Sequence, residues 1–248
     1  MNDAVDKVIT PFLAETDTVL GPAYSAVLYG SAARGDFVPG RSDINLMLVL
    51  DELSPAVLGT LGRAFAGWRK STYDPPLVIS RAEWARATDV FPLEITDMRA
   101  AYRVLRGLDP LAALEVDRAD LRRALEREFR GKLLRLRQGY VAAAGDPKAL
   151  GTLAGQSAAT VMVLLRGLLQ LLGRPVPTDP LELAGAAAGA VGLEPEHLLH
   201  VFRHRGERGW RCAPGEFEQY MESMMTRVCG HRSRMRRVAS VPLSSGMP

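Results

Sequence analysis

The chain has 248 residues, of which 47% are hydrophobic and 24% charged, with a formal net charge of +3. That balance supports one large or two small globular domains with a true core and excludes a low-complexity or fibrous chain. The charge is too small to call for nucleic acid, and Cys212 and Cys229 form neither a metal motif nor a disulfide framework.

Residues 3–18 place Val5, Val8, Ile9, Phe12 and Leu13 at helical spacing, and Gly21-Pro22 ends that helix. An apolar run over residues 26–29 stops at Gly30-Ser31, and Ala32-Ala33-Arg34-Gly35 is expected to begin a short helix. Ser42-Asp43-Ile44-Asn45 leads into a second apolar strand over residues 46–50. Ser54-Pro55 opens a helix to about residue 69, with a serine cap and a proline in the first turn. Asp74-Pro75-Pro76 breaks the chain before a short strand over residues 77–79, and Ser80 caps a helix over residues 81–87. Residues 91–97 read as a strand, and residues 103–107 as a last short strand or a helix end. This alternation predicts a small mixed sheet with helices on one side.

Beyond residue 111 no strand pattern remains. Residues 117–144 predict a long amphipathic helix with Leu121, Leu125, Phe129, Leu133, Leu136 and Tyr140 as its stripe. Residues 147–172 form a second helix or a broken pair, residues 180–203 contain at least one more, and residues 214–232 a last one with Phe217, Tyr220, Met221 and Met224 on one face. The apolar run 158–172 is interrupted by Arg166 and is too short to span a bilayer. The fold class is therefore α+β: a mixed sheet with flanking helices over residues 1–112, a helical bundle over 113–232, and a tail from 233 expected to be disordered. The N-terminus lacks the basic-then-apolar layout of a signal peptide, so a cytoplasmic location with free thiols is expected.

Residues 24–50 carry most of the information, in a layout that can hold a nucleotide's phosphates and a metal ion. Side chains two apart on a strand share a face, so Asp43 and Asn45 are expected to point the same way. Two carboxylates so placed would share a pair of Mg²⁺ ions for in-line attack on a phosphate. An Asn carbonyl brings no charge, which leaves one ion to be held chiefly by the substrate's phosphates. Gly30 lets the backbone approach a phosphate closely, Ser31 adds a hydroxyl, the N–H groups that follow favour an anion, and Arg34 can neutralise phosphate charge. A third acid is sought in residues 91–97. Glu94 lies between Leu93 and Ile95, and an acid with buried neighbours is costly to desolvate unless it is paired or binds metal. Asp97 is the second choice, its ordinary role being a cap for the residues after it.

The stretch Gly30-Ser31-Ala32-Ala33-Arg34-Gly35, followed by Ser42-Asp43-Ile44-Asn45, resembles the signature of the DNA polymerase β-like nucleotidyltransferase superfamily, of the type seen in its small bacterial and archaeal members and in antibiotic nucleotidyltransferases. The likeness covers about residues 22–50. It implies a Mg-dependent transfer of a nucleotidyl group from ATP or another nucleoside triphosphate to a hydroxyl of a small-molecule or protein acceptor. Asp43 and Glu94 would be the catalytic and metal-binding residues, with Gly30, Ser31, Arg34 and Asn45 around the nucleotide. Asn45 departs from the family pattern, which expects an acid there. The alternative is a catalytically impaired nucleotide-binding protein or regulatory partner.

The resemblance also implies a helical second domain, as in the antibiotic-modifying members. There Arg130 and Lys132 are candidates for phosphate contact, against the ordinary reading of a solvated helix face. His197, His200, His204 and His231 show no metal spacing, and Trp68, Trp84 and Trp210 read as packing residues. A membrane partner is not expected. The basic end, residues 231–237, could touch RNA only through charge, with no aromatic platform.

Overall fold

The structure is a computed structural model that describes residues 3–35, 37–39, 42–69, 71, 73–192 and 194–224. Cys229, His231, the basic end and the tail lie outside these residues, as does the end of the helix expected over 214–232. The chain divides into two compact units, Met1–Val116 and Asp117–Pro248.

The first unit contains strands β1 (Tyr24–Tyr29), β2 (Asn45–Leu50), β3 (Leu77–Ser80) and β4 (Tyr102–Arg106). Its helices are α1 (Asp3–Leu20), α2 (Ser31–Arg34), α3 (Pro55–Trp68), α4 (Arg81–Trp84) and α5 (Pro92–Ala100). The sheet runs in the order β3-β2-β1-β4. β1 is antiparallel to β2 and β4, while β2 and β3 are parallel and joined through α3.

Apolar clusters cover both faces of the sheet, where the sequence had predicted helices on one. Ala26, Leu28, Leu46, Leu48 and Leu50 pack with Val5, Ile9, Phe12, Leu61 and Trp68 of α1 and α3. Val27, Met47 and Val49 pack with Trp84, Ile95, Met98 and Leu111 on the other face. Double coverage explains why β1 and β2 read as unbroken apolar runs: alternate side chains go to opposite cores.

The segment expected as a strand over residues 91–97 is instead the helix α5. Pro92 stands in its first turn, where no N–H is needed, and Pro92, Leu93, Ile95 and Met98 are buried. The Leu-Glu-Ile triplet fits both a strand and a helix, and only packing decides between them. Asp97 consequently lies inside this helix and does not cap a later one. The expected serine caps are present. Ser54 accepts from the Val57 N–H at 3.3 Å, and Ser80 forms a capping box with Glu83.

The second unit consists of α6 (Arg118–Ala143), α7 (Pro147–Leu171), α8 (Pro180–Val191), α9 (Glu196–His204) and α10 (Pro214–Met224). Asp117, Asp146 and Asp179 each cap a helix by accepting from two backbone N–H groups. On α6 the buried residues include Leu121, Leu125, Phe129, Leu133 and Leu136. The sixth stripe residue, Tyr140, is half-buried and stacks on Phe217. α7 is one continuous helix, long and apolar enough by length and composition to cross a membrane; half of its most apolar window is buried inside the protein. At Gly151 a Cβ would come within 2.1 Å of the Trp210 carbonyl oxygen, so only glycine admits the segment that packs there. Ser157, polar in an apolar helix, donates to the Ala154 carbonyl at 2.7 Å. Its single proton is thereby used, and its oxygen accepts from the fully buried Tyr220 hydroxyl at 2.7 Å.

Candidate active site

In the first unit β1 ends beside the start of β2, with Tyr29 opposite Asn45 on one flank and Tyr102 on the other. Gly30 follows with φ 74° and ψ −147°. Its N–H donates to the Ala101 carbonyl at 3.2 Å, and its own carbonyl accepts from the N–H groups of Ala33 and Arg34 at 3.1 and 3.0 Å. A Cβ at position 30 would lie 2.9 Å from Asn45 Nδ2. Positive φ and this close approach together require glycine. The Gly30-Ser31 turn is thus seated against the side chain at which β2 begins.

Asp43 lies two residues ahead of β2 and not on it, so strand alternation does not set its direction. Its Oδ1 accepts from the Ile44 N–H at 2.9 Å and from the Asp74 N–H at 3.4 Å. Burial pushes the Asp43 carboxyl above the usual carboxylate range, and the Asp74 carboxylate adds to this against the opposing effect of the two N–H bonds. In the sequence Asp74 reads as part of a chain break, Asp74-Pro75-Pro76. Its placement follows from Trp68, whose indole Nε1 donates to the Asp74 carbonyl at 2.9 Å and fixes the loop before β3. A signal did exist: Asp74 precedes an apolar strand by a few residues, as Asp43 does. A cavity of about 480 Å³ opens here, its lining including Tyr29, Asn45, Asp74, Pro75 and Leu77.

Tyr29 ties α5 to the same place. Burial raises the phenol's pKa, and the carboxylates of Asp43 and Asp97 raise it further. Asp97 is therefore the α5 acid in electrostatic reach of this edge. Glu94 is exposed in the first turn of α5, where an acid suits the positive end of the helix dipole. Arg34 closes α2 and is half-buried.

The carboxylates of Asp43 and Asp74 are hard, anionic oxygen donors of the kind that could hold one Mg²⁺, with phosphate and water as its remaining ligands. Among the described residues no group of three His, Cys, Asp or Glu could hold an ion. His200 and His204 are packing partners of Trp210, with ring centroids at 5.8 and 5.2 Å, and lie 3.6 and 3.2 Å from Glu216 and Glu207. In the second unit Arg130 is exposed and Lys132 half-buried on α6. Burial and the neighbouring Arg135 charge lower the Lys132 pKa.

Among solved structures, the chain is similar to the crystal structure of spectinomycin adenyltransferase AAD(9) from Enterococcus faecialis with ATP and spectinomycin. The TM-score is 0.53 at 13% identity, over 87% of this chain and 99% of that one. The chain shares the overall fold of that adenyltransferase. At this identity the likeness concerns the fold alone. No family model and no curated protein matches the chain.

Proposed function

We propose that the protein is a Mg-dependent nucleotidyltransferase that moves a nucleotidyl group from ATP or another nucleoside triphosphate to a hydroxyl of a small-molecule or protein acceptor. The observation that carries this reading is the gathering, at one end of β1 and β2, of the Gly30-Ser31 turn, Asn45 and the Asp43–Asp74 carboxylates. The acceptor oxygen attacks the α-phosphorus, the bond to the β,γ-pyrophosphate breaks, and the acceptor's proton passes to a carboxylate of the site. Asp97 replaces Glu94 as the candidate for that proton, because it acts on Tyr29 at the site's edge. Asp43 and Asp74 would hold the ion, and Mg²⁺ bound there would offset charge on the phosphates.

The test is Mg²⁺-dependent pyrophosphate release from each of the four nucleoside triphosphates, offered with a panel of hydroxyl acceptors. Release that Asp43→Asn abolishes supports the proposal, and none with any pair overturns it. Asn45, standing where an acid is expected, favours a second reading as a nucleotide-binding regulatory protein. That reading predicts saturable nucleotide binding without pyrophosphate release.

A further inference from the structure

We propose that Asn45 and Tyr29 form a neutral pair of hydrogen-bond donors for the substrate's phosphate oxygens, and that residue 45 is not an ion ligand in this protein. The inference rests on the reading that this site takes a nucleoside triphosphate. The two residues are direct cross-strand partners and both line the same cavity of about 480 Å³. The Asn45 amide nitrogen lies close beneath the Gly30-Ser31 turn, 2.9 Å from where a Cβ at position 30 would stand. A carboxylate at position 45 would set a negative oxygen against that turn and repel a phosphate unless an ion came between them. The amide instead offers two N–H donors and no charge. Tyr29 adds an O–H donor beside it.

The neighbours make such donors necessary. Asp43 and Asp74 stand at this edge, and the Asp97 carboxylate also acts on Tyr29. An anionic ligand therefore needs neutral donors to offset the carboxylates where no ion intervenes. The substitution at 45 then exchanges one ion's worth of binding for direct contact with phosphate. The site would keep part of its phosphate affinity when Mg²⁺ is removed.

The experiment is calorimetric titration of inorganic tripolyphosphate into the full-length protein, in EDTA and in Mg²⁺ at matched ionic strength. The probe carries no base and so does not depend on which nucleotide is preferred. Wild type is expected to bind in both conditions. Asn45→Asp and Asn45→Ser should weaken binding in EDTA by about tenfold or more, the scale of a hydrogen bond to a charged group, with melting temperatures unchanged. The serine variant removes the amide without adding charge, so it stands alone should the aspartate variant melt early. Tyr29→Phe should weaken EDTA binding by a smaller factor. If wild type binds only with Mg²⁺, or if both position-45 variants bind in EDTA as tightly as wild type, the inference fails while the nucleotidyltransferase reading stands. If nothing binds in either condition, the phosphate site falls, and that reading with it.

Discussion

The two units handle their polar groups in opposite ways. In the helical unit, the buried Ser157 donates to a carbonyl and accepts from Tyr220, and three exposed aspartates are used as helix caps. In the sheet unit, burial disfavours the charge of Asp43, and the nearby Asp74 carboxylate adds to the cost. Satisfied polar groups mark architecture. Like charges held together beside a cavity, and a glycine pressed against an amide, are the observations on which the proposed site rests. The proposed chemistry lies in the first unit, although the second holds the longest helices.

That contrast can be broken or sharpened by substitution. The largest effect is expected in the helical unit, where Phe129→Ala should cost about 3–5 kcal/mol in denaturant unfolding, since Phe129 is fully buried on α6. A loss under 1 kcal/mol would mean that the α6 stripe is not the core of that unit.

Next comes Asp43→Asn. It should lower Mg-dependent nucleotide turnover by about a hundredfold or more, at least the scale seen for groups that support a metal site. Its stability effect runs the other way. The folded-state pKa of Asp43 is raised, so its contribution to stability is complete below the ordinary value of 3.8 and is lost as pH rises through the raised value. The variant should therefore melt higher than wild type at neutral pH, and the difference should vanish below pH 3.8. A variant that loses stability at pH 7 would show that Asp43 is a structural acid.

Asp97→Asn should reduce turnover by about a hundredfold, the lower end of the range for a positioned proton acceptor. The matched control, Glu94→Gln, should change it by less than about threefold, as befits an exposed first-turn acid worth a fraction of a kcal/mol to the helix. Equal losses would restore Glu94 as the third acid. Between these in stability terms stands Tyr220→Phe, expected to cost about 1 kcal/mol because one buried hydrogen bond is lost while Ser157 keeps its carbonyl partner.

Much of the fold was legible in the sequence because its signals are local. Ser54-Pro55, Ser80 with Glu83, and Asp146-Pro147 satisfy or remove helix N–H groups within a few residues of themselves, so the helices begin where those residues stand. The α6 stripe repeats at helical spacing for most of its length. The Gly-Ser turn between two apolar strands was equally plain, since a positive φ at Gly30 is a property of the chain itself.

Tertiary structure decided the rest. Residues 91–97 suit either period, and they became α5 because Ile95 and Met98 found a core on the second face of the sheet. Asp74 lies beside Asp43 because an indole 6 positions earlier in the chain anchors its loop there. Asp97 gained its place because α5 leads into β4, which pairs with the end of β1 at Tyr29. Residue identities and near-neighbour spacing determined which groups could do chemistry. Which of them meet depended on strand pairing and packing between segments tens of residues apart, where no single local window holds both partners.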